Sequence, residues 1–159
     1  MQELKPKPWE LREPRNLAGL IDIYESNYFR VMRLVPELDE LEGTVVSRVA
    51  GALDLYLTVQ ERQPYTTTIL LTYHFEDDGE VLFEPAAKIS ICHDVRTAEV
   101  VSHFRRRRER WVRQWRRRSM PEVDRKWELN RFLQKWLGFC HRQGHLFLRA
   151  TTTQVPPTE

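Results

Sequence analysis

Cysteine is scarce in this 159-residue chain. Its two cysteines, Cys92 and Cys140, cannot build a disulfide framework, so a reducing compartment is expected. Glycine is scarce as well: the six present form neither Gly-x-Gly-x-x-Gly nor Gly-Lys-Ser/Thr, which removes the common loops that cradle nucleotide phosphates. No apolar run approaches the roughly 20 residues of a membrane span, and no membrane partner is expected. The opening Met-Gln-Glu-Leu-Lys-Pro-Lys-Pro-Trp shows no apolar segment of the secretory kind, so the expected location is cytoplasmic. No Cys-x-x-Cys pair occurs either. Cys92, His93, Cys140, His141 and His145 are zinc-type donors, but Gly144 is expected to end a helix between His141 and His145. No metal site and no cofactor are assigned.

What is present is a soluble composition, 41% hydrophobic and 30% charged, sufficient for one domain with a real core. One segment departs from it. Residues 104–118 hold nine arginines, one acid (Glu109) and two tryptophans. The segment therefore carries +8 in a chain whose total is +2, leaving −6 for the remainder. Charge segregated in this way attracts phosphates or acidic protein surfaces, and arginine suits both because its planar fork binds oxyanions bidentately.

Residues 1–15, with Pro6, Pro8 and Pro14, are expected to be an unordered lead-in, residues 16–148 a single α+β domain, and residues 149–159 an unordered tail. A helix should start at Asn16 as N-cap. Its apolar stripe would be Leu17, Leu20, Ile21, Tyr24, Tyr28, Val31, Met32 and Val35, ended by Pro36. From Thr44 the period becomes two, with Leu53, Leu55, Leu57 and Val59 on one face. After a turn at Gln63-Pro64, Ile69, Leu71, Tyr73 and Phe75 share a face, and Asp77-Asp78-Gly79 signals another turn. Ala87, Ile89, Ile91 and His93, then Ala98, Val100, Ser102 and Phe104, complete the alternation.

Short connections imply antiparallel neighbours. The last helix should open with a capping box of Ser119 and Glu122 and bury Trp127, Leu129, Leu133, Trp136, Leu137 and Cys140. The expected fold is α+β: a five-stranded antiparallel meander flanked by an N-terminal and a C-terminal helix. Its open face would show Tyr56, Thr58, Thr72, His74, Lys88 and Ser90, with residues 105–118 as a basic excursion between the last strand and the last helix.

Several segments together resemble a known family. They are Tyr24-Glu-Ser-Asn-Tyr-Phe…Met32-Arg-Leu-Val-Pro36, Glu61-Arg-Gln-Pro-Tyr65-Thr66-Thr67 and His93-Asp94…Ala98-Glu99-Val100. Asp124-Arg-Lys126…Asn130-Arg-Phe132-Leu133-Gln-Lys-Trp136-Leu137…Cys140…Gly144 follows in the same order. On these residues the chain is similar to the YqiB-like family of small bacterial cytoplasmic proteins. The resemblance covers roughly residues 20–147 and carries no activity or catalytic residues, because the family's function is unknown.

Three readings of function follow. The first is a binding or regulatory protein that meets an anionic partner, nucleic acid or acidic protein, through Arg105, Arg106, Arg107, Arg108, Arg110, Arg113, Arg116, Arg117 and Arg118. Trp111 and Trp115 lie among these arginines, and that mixture suits phosphates and unpaired bases together. The second is a small hydrolase or transferase acting on a phosphate-bearing metabolite, with His93, Asp94 and Glu99 as acid–base candidates. The third is a subunit that docks a protein on the open sheet face. The residues favour binding over catalysis, and they leave the oligomeric state open.

Overall fold

The computed structural model describes residues 15–77, 79–107, 110–113 and 121–156. Of the expected lead-in, residues 1–14 lie outside the described residues. Helix α1 (Leu17–Leu34) starts where the sequence places it: Asn16 Oδ1 accepts a hydrogen bond from the Gly19 N–H at 2.8 Å. It stops at Leu34, two residues before Pro36. Its buried residues are Leu20, Ile23, Asn27, Val31 and Leu34, whereas Leu17 and Ile21 are exposed. The stripe is turned from the expected one because α1 has two neighbours, the sheet and the second helix.

That second helix, α2 (Glu122–Arg142), has Pro121 at its N-cap position with no side-chain cap. The expected capping box of Ser119 and Glu122 falls partly outside the described residues, because Ser119 is not among them. Glu122 is the first helical residue and pairs with Arg125 at 2.6 Å. All six residues of the expected α2 stripe are buried, and Gly144, at φ +93°, ends the segment as expected.

The strands are β1 (Thr44–Ser47), β2 (Asp54–Arg62), β3 (Thr66–Asp77), β4 (Glu80–Cys92), β5 (Thr97–Arg107), β6 (Arg110–Arg113) and β7 (Thr153–Val155). Among the described residues they form one seven-stranded antiparallel sheet in the order β6-β5-β4-β3-β2-β1-β7. The meander is thus six strands long, not five, and a seventh strand closes its other edge. The tail, expected to be unordered, supplies that strand by pairing Thr153–Val155 with Thr44–Val46. Neither short strand has enough alternation to stand out in the sequence.

The ladder explains the core. Leu57, Leu71 and Ala87 stand opposite one another across β2, β3 and β4, as do Val59, Ile69, Ile89 and Val100 from β2 to β5. These rows pack with Val31, Leu34, Leu133, Leu137 and Phe147 into one cluster beneath the helices, and Leu20, Ile23 and Trp127 form a smaller one. Fully burying one such aliphatic side chain contributes about 1.5–3 kcal/mol.

Two register shifts alter the expected faces. Pro85 sits where β4 carries an extra residue against β3, a position that tolerates its missing N–H. On β5 a bulge at Val101 places Ser102 opposite Lys88, so Ser102 does not continue the Ala98–Val100 face. On the opposite sheet surface Tyr56 stacks on His74 at 3.6 Å between ring centroids, and Thr72 is buried, not exposed as expected.

A polar ring joins the helices to the sheet. The Val100 N–H of β5 donates to Asn130 Oδ1 at 2.8 Å, and Asn130 Nδ2 donates to the Lys126 carbonyl at 2.8 Å. Asn27 Nδ2 of α1 donates to the Asn130 carbonyl at 3.3 Å. Both asparagines are fully buried, so each bond satisfies a group that would otherwise be costly to desolvate. No described helix is long and apolar enough to cross a membrane.

Candidate functional site

The Arg/Trp segment falls into the sheet over part of its length. Its first residues extend β5, and the backbone then returns as β6, with Arg105 opposite Val112, Arg106 opposite Trp111 and Arg107 opposite Arg110. What was expected to be an excursion between strand and helix is, over residues 105–107 and 110–113, the outermost ribbon of the sheet. Arg108, Trp115, Arg116, Arg117 and Arg118 lie outside the described residues.

The acid–base candidates occupy the opposite end of β5, around the four-residue turn His93–Arg96. His93 opens this turn and does not continue the strand. Its Nε2 lies 2.8 Å from Thr67 Oγ1, its backbone N–H donates to the Tyr65 carbonyl, and its ring meets Tyr28 edge-on at 6.4 Å. Asp94 is exposed, and its Oδ1 accepts from the Val95 N–H within the turn. Glu99 lies beside Tyr24, one helical turn before Tyr28. Burial first, and then the Glu99 charge, push the Tyr24 phenol far above its ordinary range. His93 and Glu99 thus meet different tyrosines, and no described hydrogen bond joins His93, Asp94 and Glu99.

This corner gathers three of the segments that carried the family resemblance. Arg62 donates to the carbonyls of Leu38 and Leu41, which fastens the connection from α1 to β1. Gln63 and Thr66 close the β2–β3 turn through paired backbone bonds, and Thr67 holds His93. Each of these contacts is a fastening of the chain.

The other titratable cluster is buried. Tyr73 Oη lies 3.3 Å from Cys140 Sγ, and its ring lies near those of Trp136 and His145. His145 Nδ1 lies 2.9 Å from Ser47 Oγ. Burial pushes the Cys140 thiol up to about 11 and lowers the His145 imidazole below its ordinary value. Both groups are held neutral, which suits a core. The described residues contain no group of three or more His, Cys, Asp and Glu side chains placed to hold a metal.

The groove between α1 and α2 was not singled out from the sequence. The contacts Ile23–Trp127, Asn27–Asn130 and Arg33–His141 advance together along both helices, so the two run parallel. At their N-terminal ends a cavity of about 430 Å³ is lined by Asn16, Asp22, Trp127, Arg131 and Gln134, among others. At their C-terminal ends a smaller one, about 190 Å³, is lined by Arg30, Arg33, Leu137, Gly138, His141 and Arg142. Arg33 Nη2 donates to His141 Nε2 at 2.8 Å across it. The partners in that contact are 108 residues apart, and no local spacing announces it.

Residues 30–146 match the family described as "Protein of unknown function (DUF1249)". The uncharacterized protein YqiB of Escherichia coli is similar to the chain in the K12, O6:H1 and O157:H7 strains. Each is 27% identical over 128 residues, covering 79% of this chain and 88% of the relative. No solved structure matches the chain.

Proposed function

The chain belongs to the DUF1249 family of proteins of unknown function, and from that premise we propose that it is a non-enzymatic binding protein whose β5–β6 ribbon meets a polyanion. One observation carries this reading: nine arginines and two tryptophans fall within residues 104–118, and part of that span is the outermost ribbon of the sheet. An edge ribbon is reachable along its outer side, and phosphate neutralisation by arginine needs reach more than a shaped pocket. Single-stranded nucleic acid is the favoured polyanion, because tryptophans interleaved with arginines offer stacking to bases as well as charge to phosphates. The catalytic alternative has less support, since His93, Asp94 and Glu99 each have separate structural partners.

The test is fluorescence anisotropy with a labelled single-stranded oligonucleotide, after purification at high salt. Replacing Arg105–Arg108 by glutamine should weaken binding and lower the log–log salt slope by about 3, at roughly 0.7 per lost single-strand phosphate contact. Unchanged affinity and slope in that variant would overturn the reading. Binding to an acidic protein but not to the oligonucleotide would redirect it to a protein partner.

A further inference from the structure

We infer that the C-terminal end of the α1–α2 groove is a binding site for a small phosphate-type oxyanion, separate from the β5–β6 ribbon. The argument starts at Gly138. A glycine in a helix interior costs about 1 kcal/mol relative to alanine, and this one is buried in the middle of the last turns of α2. A Cβ at this position would stand 3.0 Å from Arg30 Nη1 and 3.3 Å from Arg142 Nη1. The missing side chain is therefore the space that two guanidiniums use. Taken together, the two distances put those nitrogens within 6.3 Å of each other.

Like charges at that separation repel unless something negative lies between or beside them. Among the described residues, the ion pairs involve Arg15, Arg48 and Arg125, and none of the groove cations. Arg30 Nε has only the Ser26 hydroxyl, at 3.4 Å. Arg33 Nη2 spends a hydrogen bond on His141. An arginine N–H can only donate, so His141 Nε2 is the acceptor in that contact. Three guanidiniums and an imidazole thus line one small cavity without a carboxylate.

Helix dipoles supply a competing reason for basic residues here, because the negative ends of both parallel helices lie at this end. That accounts for Arg33, His141 and Arg142 in the final turns. It does not account for Arg30, which sits a turn earlier and approaches the helix of its neighbour over a glycine. Nor does it require the cations to converge. An oxyanion does both: guanidinium forks bind phosphate oxygens bidentately, and several forks around one point suit a tetrahedral dianion. At about 190 Å³ the cavity is smaller than the roughly 300–1,000 Å³ of pockets for drug-sized ligands, so it fits the phosphoryl group and leaves any attached organic part outside.

The experiment is titration of the intact chain with inorganic phosphate by isothermal calorimetry, with chloride at matched ionic strength as the reference. Saturable binding is expected, weakened about tenfold or more by either Arg30→Gln or Arg142→Gln, each of which removes charge-assisted bonds. Gly138→Ala is the variant that keeps the fold: it favours the helix and fills the shared space, so it should raise the melting temperature while weakening phosphate. Arg105–Arg108→Gln should leave phosphate binding unaltered, which separates this site from the ribbon. No saturable phosphate signal beyond chloride, or equal binding by wild type and both groove arginine variants, would overturn the inference.

Discussion

The molecule has two basic regions built in opposite ways. In residues 104–118, part of which is the ribbon, nine arginines fall within fifteen residues, and the field they create exists whatever the chain does. In the groove, Arg30 and Arg33 come from α1 and His141 and Arg142 from α2, and they meet only because the helices lie parallel on one sheet. The first region is dense but, as a stretch of edge, suits long, flexible partners. The second is sparse but lines one small cavity, with Arg30 and Arg142 meeting over Gly138. Charge density and charge geometry are different properties, and a ligand that needs one gains little from the other.

Salt should separate the two regions most strongly. If the ribbon neutralises six or more single-strand phosphates, oligonucleotide affinity should fall by about three-hundredfold or more between 50 and 200 mM salt. Phosphate binding in the groove, measured in parallel, should lose far less, because a single small ion displaces few counterions. Equal salt sensitivity would erase the distinction.

The next effect comes from the polar ring that sets the helices against β5. Asn130→Ala leaves the Val100 N–H without its acceptor in a buried place and should cost about 1–3 kcal/mol by urea denaturation. At temperatures where the variant stays folded, phosphate binding should suffer and oligonucleotide binding should not. A smaller effect of opposite signs is expected from Gly138→Ala, with about 1 kcal/mol gained in stability from helix propensity alongside the loss of phosphate. A variant that lost both would mean the glycine serves packing, not the arginines.

The smallest effect is a pH dependence in the core, outside both basic regions. Burial holds the His145 imidazole below its ordinary 6.5, so the unfolded chain binds more protons as pH falls below that value. Stability should therefore be full above about pH 6.5 and decline as pH descends toward the folded value. His145→Gln should flatten that acid limb in thermal melts at pH 5–7. An unchanged limb would assign it to other groups.

How much of this was legible beforehand depends on how local each feature is. The Asn16 cap, the α2 stripe from Trp127 to Cys140 and the alternation of Leu55–Leu57 and Ile69–Tyr73 are all written within a few residues of themselves. The turned stripe of α1 was not, because Ile23 and Asn27 are buried by α2, over a hundred residues later. The bulge at Val101 depends on its pairing with β4, and β7 is three residues whose only reason to be a strand is the free edge of β1. The helix start at Glu122, whose carboxylate meets Arg125, is described, whereas Ser119 of the expected capping box lies outside the described residues.

By itself, the amino-acid sequence determined the α+β class, the positions of both helices and the segregation of charge into residues 104–118, since each follows from the order of neighbouring side chains. Tertiary structure alone decided that part of this segment would be the edge of the sheet, that His93 and Glu99 would meet different tyrosines, and that four basic residues would line one small cavity. Those outcomes depend on which distant elements pack together, and that is fixed by burial of the whole core at once.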